Sequence, residues 1–205
     1  MLPDPHELVS QILDLHRDTV VRWHAGDPDN RYEGFLATVC QQHQFNYLLW
    51  HEEDIARSPD VPDKRIAAVK RAIDAYNQQR NDWIEKTDEA LVQLLAAAGV
   101  LPHVGARLNT ETPGSAIDRL SILALRIYHL EEQTARDDTD LVQHSTVEEK
   151  LARCRSQLAD LSQSLAELLG DIFSGRKLLK VYRQMKMYND PTLNPYLYRS
   201  QRLVG

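Results

Sequence analysis

Apolar side chains recur every three or four residues along most of this chain, which is the periodicity of an amphipathic α-helix. Alternating β-branched runs bounded by turn signals, which predict strands, are absent from the sequence. Because the breaks between the periodic stretches are short, neighbouring helices should be antiparallel. The pattern predicts an all-α fold, namely an up-and-down bundle of about five long helices followed by an extended basic tail.

Breaks in the periodicity and capping residues predict where each helix begins and ends. Gly99 is a C-terminal stop signal, and Thr112 before Pro113 is an N-cap followed by proline in the first turn. Residues 100–112 should form a loop. The predicted helices cover residues 5–24, 31–57, 63–99, 113–136 and 147–173, and a shorter one reaches residue 187 before Pro191 and Pro195.

Composition is that of a globular protein. Apolar residues make up 42% and charged residues 26% of the 205 positions, so the chain can bury one core. No apolar run approaches the roughly 20 residues of a transmembrane helix, and the acidic, proline-containing start is unlike a signal peptide. We therefore expect a cytosolic protein. Cys40 and Cys154 are too few for a disulfide scaffold and should be small buried hydrophobic residues.

Positive charge is concentrated at one end of the chain. Residues 176–205 hold seven basic residues, one acid and four of the eight tyrosines, which gives this tail +6 and the remainder −12. Such a surface can attract RNA or anionic lipid, but no nucleic-acid motif accompanies it. We expect a bundle domain over 1–175, with 176–205 as a basic, Tyr-rich helix and tail that packs on the acidic bundle.

Polar residues at the middle of the predicted bundle form the main candidate site. If the second and third helices form a hairpin about residue 60, a rise of ~1.5 Å per residue places His43 level with Asn77. Asn77, Asn81 and Glu85 lie four residues apart on one helix face and should point partly inward. The same register brings eight polar residues of three helices to one level: His43, Asn46, Asn77, Arg80, Asn81, Glu85, Arg126 and His129.

A buried polar layer is either a hydrogen-bonded network or the lining of a ligand pocket, and the sequence leaves both open. In the pocket interpretation, His43, His129 and Glu85 transfer protons. The ligand, a phosphorylated sugar or nucleotide sugar, is then bound by the remaining five members: Asn46, Asn77, Arg80, Asn81 and Arg126. Neither a reaction nor a cofactor follows from the sequence.

The start of the fourth helix is a second candidate site. Its free backbone N–H groups, around Thr112 and Gly114, can bind a phosphate or carboxylate, and Arg107 and Arg119 lie near enough in sequence to add positive charge. The alternative is that Glu111 or the Thr112 side chain caps those donors, as every helix start requires.

Two pairs of residues have a spacing that can hold a metal. His51 and Asp54 are three apart, as are Glu85 and Asp88, and acidic pairs on two helices can share magnesium. The hairpin register separates the pairs by ~20 residues, or roughly 30 Å of helix. We therefore assign no metal ligands.

Four segments carry a family resemblance: NYLLWHEEDIAR (46–57), AIDAYNQQRNDWIE (72–85), NTETPGSAIDRLSILALRIYH (109–129) and YRQMKMYNDPTLNP (182–195). Together they resemble a bacterial family known as domain of unknown function 4254. The resemblance implies a loose link to cell-envelope glycan genes and names no catalytic residue. Two functions remain open, a small-molecule enzyme or binding protein and a non-catalytic helical module whose basic tail contacts a protein partner.

Overall fold

Five long helices account for most of the computed structural model, which describes residues 1–136, 138, 141–184, 187 and 190–197. The predicted all-α bundle is confirmed. The helices are α1 (Pro5–His24), α2 (Gly34–Arg57), α3 (Asp63–Ala97), α4 (Pro113–Thr134) and α5 (Leu141–Phe173), and two short strands are β1 (Arg107–Leu108) and β2 (Lys177–Leu178).

Capping explains two helix starts that the sequence predicts. The Asp4 carboxylate accepts hydrogen bonds of 3.0 Å from the backbone N–H groups of His6 and Glu7 at the start of α1. Thr112 Oγ1 accepts from the backbone N–H of Ser115 at 3.2 Å at the start of α4. The start of α5 was predicted wrongly: the helix begins at Leu141, six residues early. Most side chains of its first turns are exposed, so they add nothing to the apolar periodicity.

The helices pack as two hairpins with α1 laid against both. α2 packs on α3 and α4 on α5, while α1 contacts α2, α4 and α5. The predicted inner face of α1 is confirmed as buried. This face and its partners form the core: Leu8, Ile12, Leu15, Thr19 and Trp23 from α1, Val39 and Cys40 from α2, Leu91 from α3, Ile117, Leu120 and Leu125 from α4, and Leu165 and Leu169 from α5.

The sequence predicts a short helix after residue 175, and this prediction is wrong for the residues that the structure describes in this segment. β2 instead pairs in parallel with β1, Arg107 opposite Lys177, and no helix forms between residues 179 and 184. Gly175 lets the chain leave α5 with a φ of +77°, and its carbonyl accepts a 2.8 Å hydrogen bond from the His103 N–H. The predicted positions 185, 186, 188, 189 and 198–205 lie outside the described residues.

Both cysteines are buried free thiols, as predicted. Burial raises the pKa of the Cys40 thiol to about 12, so this thiol stays protonated and packs as a hydrophobic residue. Among the residues that the structure describes, no helix combines the length and the apolar character that a membrane crossing needs.

Gly114 lies at a close contact between α4 and α3, and Gly114→Ala should destabilise the bundle. A Cβ atom there would lie 2.6 Å from the Ile84 carbonyl oxygen and 2.9 Å from the Asp88 carboxylate. We expect a loss of about 1–3 kcal/mol in the free energy of unfolding, measured in urea. Gly26→Ala is the control, because its Cβ would meet no atom within 4 Å. Equal stability of the two variants would contradict this packing.

Candidate functional site

A buried carboxylate, that of Asp118 on α4, is the centre of the polar layer. Its Oδ1 accepts hydrogen bonds from Gln42 Nε2 at 2.5 Å, Asn46 Nδ2 at 2.9 Å and Arg80 Nε at 2.8 Å. Its Oδ2 accepts from Arg80 Nη2. Donors from α2 and α3 therefore converge on one anion of α4, and the Asp118 side chain is only 6% exposed.

A second group of contacts continues this polar network into the core. Ser121, one turn after Asp118, lies 2.6 Å from His43 Nδ1 through its Oγ, which also accepts from Asn46 Nδ2 at 2.8 Å. The His43 ring stacks on Trp23, with ring centroids 5.2 Å apart, and lies 4.6 Å from the ring of His16. The network thus ends against the apolar face of α1.

The structure brings together three members of the predicted layer, His43, Asn46 and Arg80. The sequence analysis missed the residues that join them, which are Gln42, Asp118 and Ser121. One signal was present, because Asp118 and Ser121 are polar residues three apart beside the apolar Ile117 and Leu120 of the same helix.

The charged residues of the network are Arg80 and Asp118. The hydrogen bond to Asp118 raises the pKa of the Arg80 guanidinium, so this group remains cationic. Burial lowers the pKa of His16 to about 3 and that of His43 well below 6.5, the latter also through its proximity to His16. Both imidazoles are therefore neutral at pH 7.

A cleft of about 500 Å³ opens beside the network, between α2, α3 and α4. Asn46, Asn77 and Arg80 from the predicted layer all line it. Arg80 is 26% exposed and binds Asp118 through Nε and Nη2. Its third nitrogen, Nη1, has no hydrogen bond within the described residues. The other polar or aromatic lining residues come from α2: Trp50, Glu53, Asp54 and Arg57.

The other four residues of the predicted layer lie elsewhere. Asn81 is half-buried and does not line the cleft, and Arg126 is exposed on α4. Glu85 Oε1 accepts a 2.7 Å hydrogen bond from the backbone N–H of Gln184 in the tail. The His129 ring stacks on that of Trp50, with centroids 5.0 Å apart.

The donors of the second candidate site are engaged by protein groups. Thr112 caps the N–H of Ser115, and the N–H of Gly114 donates to Asp88 Oδ1 at 2.7 Å. Arg119 Nη1 donates to Glu111 Oε2 at 2.8 Å. The Thr112 cap is the alternative that the sequence left open, whereas the Asp88 carboxylate of α3 is a partner that the sequence analysis did not name.

Asp118→Asn should destabilise the protein by about 2–4 kcal/mol in urea unfolding, because it leaves Arg80 without its buried counter-charge. Glu111→Gln is the control, since it breaks an exposed pair with Arg119 and should cost less than about 1 kcal/mol. If Asp118→Asn cost no more than the control, the network would not hold α2, α3 and α4 together.

His16→Leu should make stability less sensitive to acid. Both ring nitrogens of His16 lack a hydrogen-bond partner in the described part of the chain, so an apolar side chain is tolerated. Between pH 6.5 and about 3 the unfolded state binds a proton that folded His16 excludes, so its contribution to stability falls as the pH falls. As the pH falls through that range, the free energy of unfolding of the variant should decrease by about 1.4 kcal/mol less per pH unit than that of the wild type. Urea unfolding at several pH values measures this difference. An unchanged slope would contradict this.

Comparison with known proteins agrees with the family resemblance. A family model described as "Protein of unknown function (DUF4254)" matches residues 36–181. This span holds α3, α4 and all but the first two residues of α2, the helices that build the cleft. No curated protein and no solved structure matches the chain. Because the family model covers more than half of the sequence, the chain belongs to the DUF4254 family.

Proposed function

We propose that the cleft between α2, α3 and α4 binds a small phosphorylated sugar. The observation that carries this proposal is the state of Arg80, whose Nε and Nη2 atoms are fixed by Asp118 while Nη1 remains free beside the cleft. A guanidinium held in this way is pre-oriented for a phosphate oxygen and loses little side-chain entropy on binding. Arg57 also lines the cleft, where its Nη2 lies 3.0 Å from Glu53 Oε2.

The rest of the lining suits a polyhydroxylated ligand. The Asn77 amide has no hydrogen bond within the described residues, and the Asp54 carboxylate has no ion pair there, so both can bond sugar hydroxyl groups. Trp50 supplies a flat apolar surface. The volume of about 500 Å³ falls within the range of about 300–1,000 Å³ that small-molecule sites occupy.

The proposal is one of binding and leaves the reaction open. His43 is fully buried and neutral at pH 7, so its role is in the network, while His129 and Glu85 do not line the cleft. A bacterial, cytoplasmic protein linked to cell-envelope glycan metabolism fits a phosphorylated sugar, and we propose this setting on the family resemblance.

Thermal shift in the presence of EDTA tests the proposal with sugar phosphates, nucleotide sugars and their unphosphorylated counterparts. A ligand at 100 times its Kd should raise the Tm by about 5–10 °C. Asn77→Ala should abolish the shift without unfolding the protein, because Asn77 makes no hydrogen bond that the described fold needs. Gln79→Ala, an exposed neighbour on α3, is the matched control and should respond like the wild type.

Equal shifts in both variants would contradict the cleft as the binding site. No shift with any phosphorylated sugar would contradict the ligand class and favour the second candidate function, a protein-interaction module. The observation behind that candidate is the exposure of large tail side chains, with Tyr182 71% and Tyr196 88% exposed.

A further inference from the structure

Three histidines from three different helices meet at one point outside the cleft. His24 is the last residue of α1, His51 lies on α2 and His129 on α4. One ring nitrogen from each lies within 4.8 Å of those of the other two, and all three residues are half-buried. We call this group the histidine trio.

Hydrogen bonds at Nδ1 determine which nitrogen each ring presents. His24 Nδ1 lies 2.7 Å from the Val20 carbonyl oxygen and His51 Nδ1 lies 2.8 Å from that of Tyr47. His129 Nδ1 lies 2.8 Å from the Glu132 carboxylate. Since carbonyl and carboxylate oxygens accept, the neutral form of each ring carries its proton on Nδ1 and its lone pair on Nε2.

Within the described part of the chain, none of the three Nε2 atoms makes a hydrogen bond. Nε2 of His24 and of His129 are buried and lack a hydrogen-bond partner within the described residues. A cation placed between the three rings would accept one nitrogen lone pair from each.

We propose that His24, His51 and His129 bind a divalent transition metal ion, with zinc as the best match. Imidazole nitrogen is a preferred ligand of zinc, and three histidines leave one position of a tetrahedron for water or a substrate, as catalytic rather than structural zinc sites do. Zn–N bonds of about 2.0–2.1 Å place ligand nitrogens roughly 3.3 Å apart, so nitrogens that lie within 4.8 Å of one another would move closer on binding.

The surroundings of the trio resemble the outer shell of a metal site. Histidine ligands of metals usually donate their other N–H to a carbonyl or a carboxylate, as all three do here. Aromatic rings hold the imidazoles in place, with Tyr128 4.2 Å from His24 and Trp50 5.0 Å from His129 between ring centroids. The proposal does not depend on the sugar-binding cleft, whose test is run in EDTA.

The full chain, stripped with EDTA and dialysed, should be titrated with Co²⁺ and then with Zn²⁺. We expect one Co²⁺ per chain with the intense visible absorption of a four- or five-coordinate ion, loss of that absorption on adding Zn²⁺, and a Tm rise of about 5–10 °C at saturating zinc. His51→Gln and His129→Gln should weaken binding more than 100-fold. His6→Gln, an exposed histidine at the start of α1, is the matched control and should bind as the wild type does.

Glu132→Gln provides a variant whose folding is not in question, because the Glu132 side chain is 47% exposed. It should weaken metal binding by about 10–100-fold through the Nδ1–H of His129. Circular dichroism checks that each variant is helical. Weak Co²⁺ absorption of the six-coordinate type in the wild type would overturn the proposal. It would also be overturned if Glu132→Gln and a folded histidine variant both bound the metal ion as tightly as the wild type.

Discussion

The buried bond between Asp118 and Arg80 is the interaction on which the arrangement of α2, α3 and α4 depends. A carboxylate with 6% of its side chain exposed is costly unless donors surround it, and those donors come from two other helices. Apolar packing alone tolerates small rotations of a helix about its axis, because many apolar contacts are interchangeable. A carboxylate that must meet Gln42, Asn46 and Arg80 together selects one rotation and one level for each helix.

The same interaction connects the fold with the candidate sites. Because Asp118 binds Arg80 through Nε and Nη2, the remaining terminal nitrogen is presented beside the cleft at a fixed position. Trp50 lines this cleft and also stacks on His129 of the trio. One aromatic side chain of α2 therefore borders both the proposed sugar site and the proposed metal site, so that a ligand seated against it lies next to the histidines.

Sequence periodicity predicted the helices and the buried face of α1 better than it predicted how α4 lies against α3. The inner face of α1 followed directly from spacing, since Leu8, Ile12 and Trp23 are buried as expected. The polar layer could not be predicted from spacing alone, because helix rise gives the position of a residue along its helix but not the direction of its side chain. The loop register also placed Arg126 at the level of Arg80, and this was wrong. Arg80 pairs with Asp118, eight residues or about 12 Å earlier on α4, and Arg126 is exposed.

The histidines of this bundle differ in burial, and their different surroundings follow from that difference. His16 and His43 are fully buried, so burial keeps them uncharged, and His43 contributes its Nδ1 to the network. The trio lies nearer the surface, where Nδ1 of each ring is already used and Nε2 is left free. Residue spacing did not reveal the trio, because it joins α1 to α2 and α4, and the predicted register covered α2, α3 and α4 but did not place α1. Three helices that pack for apolar reasons thus bring together ligands that no single segment contains.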